Sequence, residues 1–243
     1  MTKPLVSLLM PAYNGVSFIK AAIDSVKNQT YDAWEIIVVD DGSTDGTWEL
    51  AAKLSESDTR IKVIKNDKNL GVNRTRRIGS FHCSGEYIGH LDCDDTLERW
   101  ALEEMLRTFA SKPDVALVYS DMAQMDEKGN ITHYDLAKNF DSNNLHQHGW
   151  RAFGMYRRDV LKYIYGYNDQ ITGGCEDGDL FMQIAERYPC YHLAKILYFR
   201  RYHGNNMSLF MTKCDNCNQK PKCNFWRVWD KSAKEYMAKK PAS

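Results

Sequence analysis

The sequence predicts an α/β protein built on a doubly wound, mostly parallel (mixed) central sheet flanked by helices. Three observations predict it. Apolar runs of strand length at 5–10, 34–39, 61–64 and 87–91 alternate with segments whose apolar positions recur at helical spacing. The runs are apolar almost throughout, as strands covered on both faces are. The first, second and fourth runs end in polar clusters, at Pro11-Ala12-Tyr13-Asn14-Gly15, Asp40–Thr47 and Asp92–Asp95. In open α/β sheets the carboxyl ends of the strands are where ligands bind.

Each element has its own signal. After the first run, Phe18, Ala22, Ile23 and Val26 mark a helix over 18–29. The second run leads into Gly42-Ser43-Thr44-Asp45-Gly46, where Ser43 or Thr44 is expected to cap a helix reaching about Leu54. Asn69-Leu70-Gly71 opens a third helix that ends near Cys83. The fourth run stops at three carboxylates. Asp92 and Asp94 alternate, so an extended backbone would point both side chains the same way. That arrangement suits a hard divalent cation with oxygen ligands. A strand-to-helix turn, with an Asp capping a helix from about Thr96, accounts for the same residues. Farther on come a helix over 97–109, a strand over 115–120 and a hairpin over 122–131 turning at Lys128-Gly129-Asn130. Residues 133–150 are polar and without period. A return to the sheet at 149–156, a helix starting at 157–160, a helix over 178–187 and a strand over 191–202 complete the order.

The chain has 243 residues, 43% hydrophobic and 26% charged, with a formal net charge of zero. That size suits one large domain, or one with a small appendage. The balanced charge supplies no footing for nucleic acid. No apolar run approaches the roughly 20 residues of a membrane span. The opening Met1-Thr2-Lys3-Pro4 runs straight into a strand, so no secretory leader is expected and the protein is expected to be cytoplasmic. Seven cysteines without a leader argue against a disulfide framework. Cys83, Cys93, Cys175 and Cys190 read as free thiols.

No G-x-G-x-x-G or Walker loop follows the first strand, which counts against a dehydrogenase or a P-loop NTPase. The motifs Pro11-Ala12-Tyr13-Asn14, Val39–Asp45, Leu91–Asp95, Gly174–Leu180 and Arg201–Ser208 together resemble family 2-type glycosyltransferases of the GT-A fold, over about residues 4–210. The resemblance implies a 1–210 catalytic domain, with a nucleotide-binding half at 1–95 and an acceptor-side half at 96–210. Within it, Asp40 matches the carboxylate that accepts a hydrogen bond from uracil N3, and Tyr13 the aromatic stacked on the base. The resemblance also implies nucleotide contacts at Pro11, Ala12, Asn14 and Cys93. Arg76 falls where the family places an arginine near base or phosphates, but Arg77 stands where asparagine is usual. Asp92 matches a ribose or metal contact, Asp94 the principal cation ligand, and His203 a residue that closes over the phosphates and completes the metal site. Arg201 is placed to pair with the diphosphate. Asp177 matches the general base, supported by Glu176 and Asp179. Gly173-Gly174 would let the chain approach a ligand, and the 133–150 loop would lie near the acceptor.

The implied activity is metal-dependent, inverting transfer from a UDP-sugar to a hydroxyl of a carbohydrate or glycolipid acceptor, with Mn²⁺ or Mg²⁺ as cofactor. A nucleotidyltransferase, or a non-catalytic sugar-nucleotide or carbohydrate-binding module, is the alternative. Beyond Phe210 the resemblance ends, in a small C-terminal extension over 211–243. Cys214, Cys217 and Cys223 there give C-x₂-C-x₅-C, three candidate ligands for a structural Zn²⁺ that would need a fourth. Phe225-Trp226-Arg227-Val228-Trp229 opens an amphipathic helix that would pack on the domain, or else rest on a partner or a membrane surface as a peripheral contact.

Overall fold

Every residue of β1 (Val6–Ala12) and β2 (Trp34–Asp40) is buried, as their mostly apolar runs lead one to expect of central parallel strands. The computed structural model describes residues 2–137, 139–141, 153–168, 176–204 and 206, with the side chain of Glu176 left out. The remaining strands are β3 (Ile61–Lys65), β4 (Tyr87–His90), β5 (Thr96–Leu97), β6 (Leu117–Met125), β7 (Ile131–Asp135), β8 (Gly154–Arg157) and β9 (Cys190–Arg201). Among the described residues they form one sheet in the order β3-β2-β1-β4-β8-β6-β9-β5, with β7 paired to β6. The β3-β2-β1-β4 half is parallel; β8 runs antiparallel to both β4 and β6, and β9 runs parallel to β6. The sheet is therefore mixed.

Helices α1 (Ile19–Lys27), α2 (Thr47–Ser57), α3 (Val72–His82), α4 (Ala101–Ser111) and α5 (Glu176–Ala185) cover it. Alternate residues of β1 and β2 feed two apolar clusters. Leu8, Met10, Ile36 and Val38 pack with α1 and α4, whereas Leu9, Ile37 and Val39 share a cluster with Leu180, Phe181 and Ile184 of α5. Each such side chain contributes about 1.5–3 kcal/mol on burial. α3 lies close against β1 and β2 because Gly79 has no side chain; a Cβ there would sit 2.2 Å from Leu9 Cδ1 and 2.9 Å from Val39 Cγ2.

Several expectations are corrected. β1 continues through Pro11 and Ala12 instead of stopping before them. Pairing of β1 with β4 ends at Leu9–His90, so the missing amide of Pro11 costs no ladder bond on that side. The expected helix from residue 97 begins only at Ala101, because Thr96 and Leu97 pair with Phe199 and Tyr198 of β9 as a short strand. Neither Ser43 nor Thr44 caps α2: Gly46 precedes it, and Asp45 Oδ1 accepts the Thr47 amide at 3.0 Å. Residues 133–135 belong to β7 rather than to a loop. α5 starts at Glu176, two residues early, and the 157–160 start is a single 3-10 turn over Arg158–Lys162. The hairpin turn lies where expected, with Gly129 at φ +89°. Gly173, Gly174, Cys175, Cys214, Cys217, Cys223 and the 225–229 helix lie outside the described residues. Cys83, Cys93 and Cys190 are free and buried. Among the described residues no helix is long and apolar enough to cross a membrane.

The opposite edge from the polar clusters carries a stability device. Glu35, at the start of β2, accepts Ser7 Oγ (2.6 Å), the Ser84 amide (2.7 Å) and Ser84 Oγ (2.8 Å), and pairs with Lys62 Nζ at 2.7 Å. Burial alone would raise its carboxyl; Lys62 and the serine donors outweigh that and bring it from 4.5 down to about 2. A depressed folded pKa stabilises above the unfolded value and is lost as pH falls through the folded one. Glu35→Gln is expected to cost about 2–3 kcal/mol at pH 7 and to flatten the acid limb of a urea-unfolding series between pH 4.5 and 2.

Candidate active site

At the carboxyl edge, the loops after β1 and β2 are locked to each other. Asn14, at φ +50°, donates its amide to Ser43 Oγ (3.0 Å), and its Oδ1 accepts the Thr44 amide (2.9 Å). Gly15 and Val16 amides reach Thr47 Oγ1 and Asp45 Oδ2. Pro11 and Ala12 are buried beneath, and Tyr13 stands above them, 49% exposed.

Asp40 and Asp41, adjacent in sequence, do different work. Asp41 is saturated by Asn66 Nδ2 (2.8 Å) and the amides of Leu70 (2.8 Å) and Gly71 (2.9 Å), which fixes the entry to α3. Asp40 is 0% exposed; its Oδ2 accepts the Ser43 amide at 3.2 Å, and its Oδ1 has no partner among the described residues. A buried acceptor without a donor costs about 1–3 kcal/mol, so the oxygen suits a donor brought by a ligand.

The chain leaves β4 and turns at once, the Asp95 amide bonding to the Asp92 carbonyl at 3.2 Å. Asp92 and Asp94 therefore converge through a turn, not through the pleat of an extended strand. Carboxylate oxygens of Asp92, Asp94 and Asp95 lie within 4.8 Å of one another. Arg76 of α3 reaches Asp92 Oδ1 at 2.5 Å. His203 Nε2 lies 3.0 Å and Asn206 Nδ2 3.2 Å from Asp94 Oδ2. Asp95 turns inward, where Oδ2 accepts Tyr198 OH (2.6 Å) and Oδ1 the Arg201 amide (2.7 Å). Burial raises the Asp92 carboxyl above its ordinary value; Arg76 opposes the rise, and Asp94 and Asp177 add to it. Burial and the neighbouring Asp94 and Asp92 raise Asp95 well above the carboxylate range. Such crowded negative charge, with oxygen donors and one imidazole, fits a Mn²⁺ or Mg²⁺ ion at Asp94, Asp92 and His203.

The other expected residues are placed as follows. Asp177, half-buried on the first turn of α5, accepts its neighbour Gly178's amide at 2.7 Å, and its charge is felt at Asp92. Asp179 is buried, and that burial lifts its carboxyl to about 6. Cys93 points inward, its Sγ 2.8 Å from where a Gly15 Cβ would stand, so it wedges the acidic turn against the loop after β1. Burial pushes its thiol well up. Arg201 is buried, with Nε on the Asp94 carbonyl (3.1 Å) and Nη1 on that of Glu127 (2.9 Å); it braces the turn against the β6–β7 hairpin. Its guanidinium also lies over Phe18, whose ring meets that of His203 at 4.6 Å.

Sequence reasoning missed Tyr198, Arg200 and Asn206. Tyr198 and Arg200 sit two apart on β9, and the Arg200 charge opposes the rise at Asp92. That period of two was the available signal.

A mixed sheet with loops converging at the carboxyl ends of its parallel strands, and an acidic turn directly after β4, defines a GT-A fold protein. Residues 7–165 match the model described as Glycosyl transferase family 2, and the chain belongs to that family. It is 32% identical over 213 residues to chondroitin synthase from Escherichia coli, which covers 85% of this chain but only 30% of that protein. S. aureus TarS 1–349 in complex with UDP-GlcNAc superposes with a TM-score of 0.68 at 20% identity, covering 84% of this chain and 60% of that one. Mannosyltransferase PcManGT from Pyrobaculum calidifontis, in complex with GDP-Man and Mn²⁺, gives 0.66 at 17% identity, covering 86% and 60%. The chain thus spans less than a third of the chondroitin synthase.

Proposed function

We propose that this chain is a metal-dependent, inverting glycosyltransferase that moves a sugar from a UDP-sugar to a hydroxyl of a carbohydrate or glycolipid acceptor. The observation that carries this is the convergence of Asp92, Asp94 and Asp95 within 4.8 Å, with the charge of Asp177 beside them. UDP as the nucleotide is supported by Asp40, whose partnerless Oδ1 suits the N3–H of uracil, with Tyr13 exposed for stacking on the base. The UDP-GlcNAc bound to TarS and the Mn²⁺ bound to PcManGT support the same donor class and a divalent cation.

In this reading Asp94, Asp92 and His203 would hold the cation, and its positive charge would offset the negative charge on the diphosphate leaving group. Arg76 holds Asp92 in place from behind. Asp177 takes the proton of the acceptor hydroxyl as its oxygen attacks the anomeric carbon. The new C–O bond forms on the face opposite UDP, the bond to the β-phosphate oxygen breaks with its electron pair leaving on UDP, and the configuration inverts.

The test begins with a calorimetric titration of UDP in Mn²⁺ and with UDP release from a panel of UDP-sugars. Binding and slow release by the wild type are expected. Asp40→Asn is expected to weaken UDP about 10- to 100-fold, the loss of one hydrogen bond to a charged acceptor. Undiminished UDP affinity in that variant, or no UDP binding by the wild type, would overturn the donor assignment.

A further inference from the structure

Behind the acidic turn lies a buried polar chain that the proposed chemistry does not use. His90, the last residue of β4, is 1% exposed and two residues before Asp92. Its Nε2 meets Tyr167 OH at 2.6 Å, and Tyr156 OH lies 3.3 Å from the same hydroxyl. The ring stacks on Phe181 of α5 at 5.3 Å and meets the edge of Tyr156 at 5.7 Å. Its Nδ1 has no partner among the described residues.

One residue before Tyr167, Gly166 adopts φ +79° and turns both its backbone polar groups to one side chain. Its amide donates to Gln183 Oε1 (3.1 Å) and its carbonyl accepts Gln183 Nε2 (2.9 Å). Gln183 Nε2 also reaches Asp179 Oδ2 at 2.7 Å on the same helix. Only a primary amide supplies both a donor and an acceptor in that plane. Phe181 is seated on the bare backbone of Gly154, where a Cβ would stand 2.3 Å from its Cζ. α5 is thus tied by Phe181 to β4 and by Gln183 to the 166–168 loop, which His90 ties back to β4.

We propose that His90, Tyr167 and Gln183 are positioning residues that hold α5, and with it Asp177, in register with the Asp92–Asp95 turn. The inference rests on the reading of Asp177 as the base. A histidine with one idle nitrogen in an aromatic seat is an expensive choice where phenylalanine would pack without a desolvation cost. What the histidine adds is a directional bond to Tyr167. A misplacement of about 1 Å between base and reacting centre costs on the order of 10²-fold in rate, so a small slip of α5 would register in turnover.

The test compares His90→Phe, Tyr167→Phe and Gln183→Met with the wild type. Three readouts are taken: thermal midpoint, UDP affinity in Mn²⁺, and the rate of UDP release from whichever UDP-sugar the wild type turns over. His90→Phe is expected to keep or raise the thermal midpoint and to hold UDP affinity within about twofold, while kcat falls about tenfold. Tyr167→Phe and Gln183→Met should lower kcat similarly and speed amide hydrogen exchange in 177–185, leaving β1 and β2 unchanged. Folded variants with unaltered kcat would overturn the inference. So would UDP affinity or midpoint falling in step with kcat, which would mark ordinary packing. A wild type that releases UDP from no donor would refute the functional reading instead; exchange in 177–185 would then decide the positioning role by itself.

Discussion

Asp94→Ala is expected to lower Mn²⁺-dependent UDP release by about 10³-fold or more, to the level seen with EDTA. The size follows from what Asp94 holds. Its Oδ2 takes both His203 and Asn206, so on the proposed reading alanine would remove a carboxylate ligand and release the imidazole that would share the cation. The Asp94 carbonyl, which anchors Arg201, is untouched by the change. The fold should therefore persist, and a near-native thermal midpoint in the apo variant would confirm it. Mn²⁺ titration by calorimetry in the presence of UDP separates loss of cation from loss of nucleotide. A variant that retained Mn²⁺-stimulated release would remove Asp94 from the metal site.

The second large effect is expected at Asp177. Asp177→Asn keeps the shape of the side chain and an oxygen for the Gly178 amide, but removes the proposed proton acceptor. Loss of a positioned general base costs about 10²–10⁴-fold, so kcat should fall by that factor with UDP affinity unchanged. The contrast with Asp94→Ala is diagnostic: one variant loses cation and turnover together, the other turnover alone. Full activity of Asp177→Asn would move the base elsewhere, with Glu176 and Asp179 next in line.

Much of the parallel half was legible because its central strands β1 and β2 are covered on both faces and so lack polar alternation. The runs at 34–39 and 61–64 became β2 and β3 within a residue, and the three polar clusters after the first, second and fourth runs do share one edge, because β1, β2 and β4 run parallel. Pairing across the second half was not legible. Gly154–Arg157 slots between β4 and β6, and no local pattern tells a strand which neighbours it will have. Thr96-Leu97 is too short to show a period and exists as strand only through β9. The adjacent carboxylates Asp40 and Asp41 look alike in sequence. Their difference lies in partners 25 to 30 residues away, which saturate one and leave an oxygen of the other idle. Asp95 looked like a third member of an acidic run; its donors, Tyr198 and the Arg201 amide, are more than 100 residues distant.

Those long-distance donors bear on how the molecule can be cut. A break after residue 95, where the sequence leads one to expect a division, would strip Asp95 of both its donors. It would also part Asp94 from His203 and Asn206, and the loop after β1 from the ring that rests on Phe18. The segments on either side of residue 95 are therefore not separable modules. Chimaeras that exchange segments after residue 95 would need to keep the end of β9 matched to the acidic turn, because the two form one structural unit although more than 100 residues separate them.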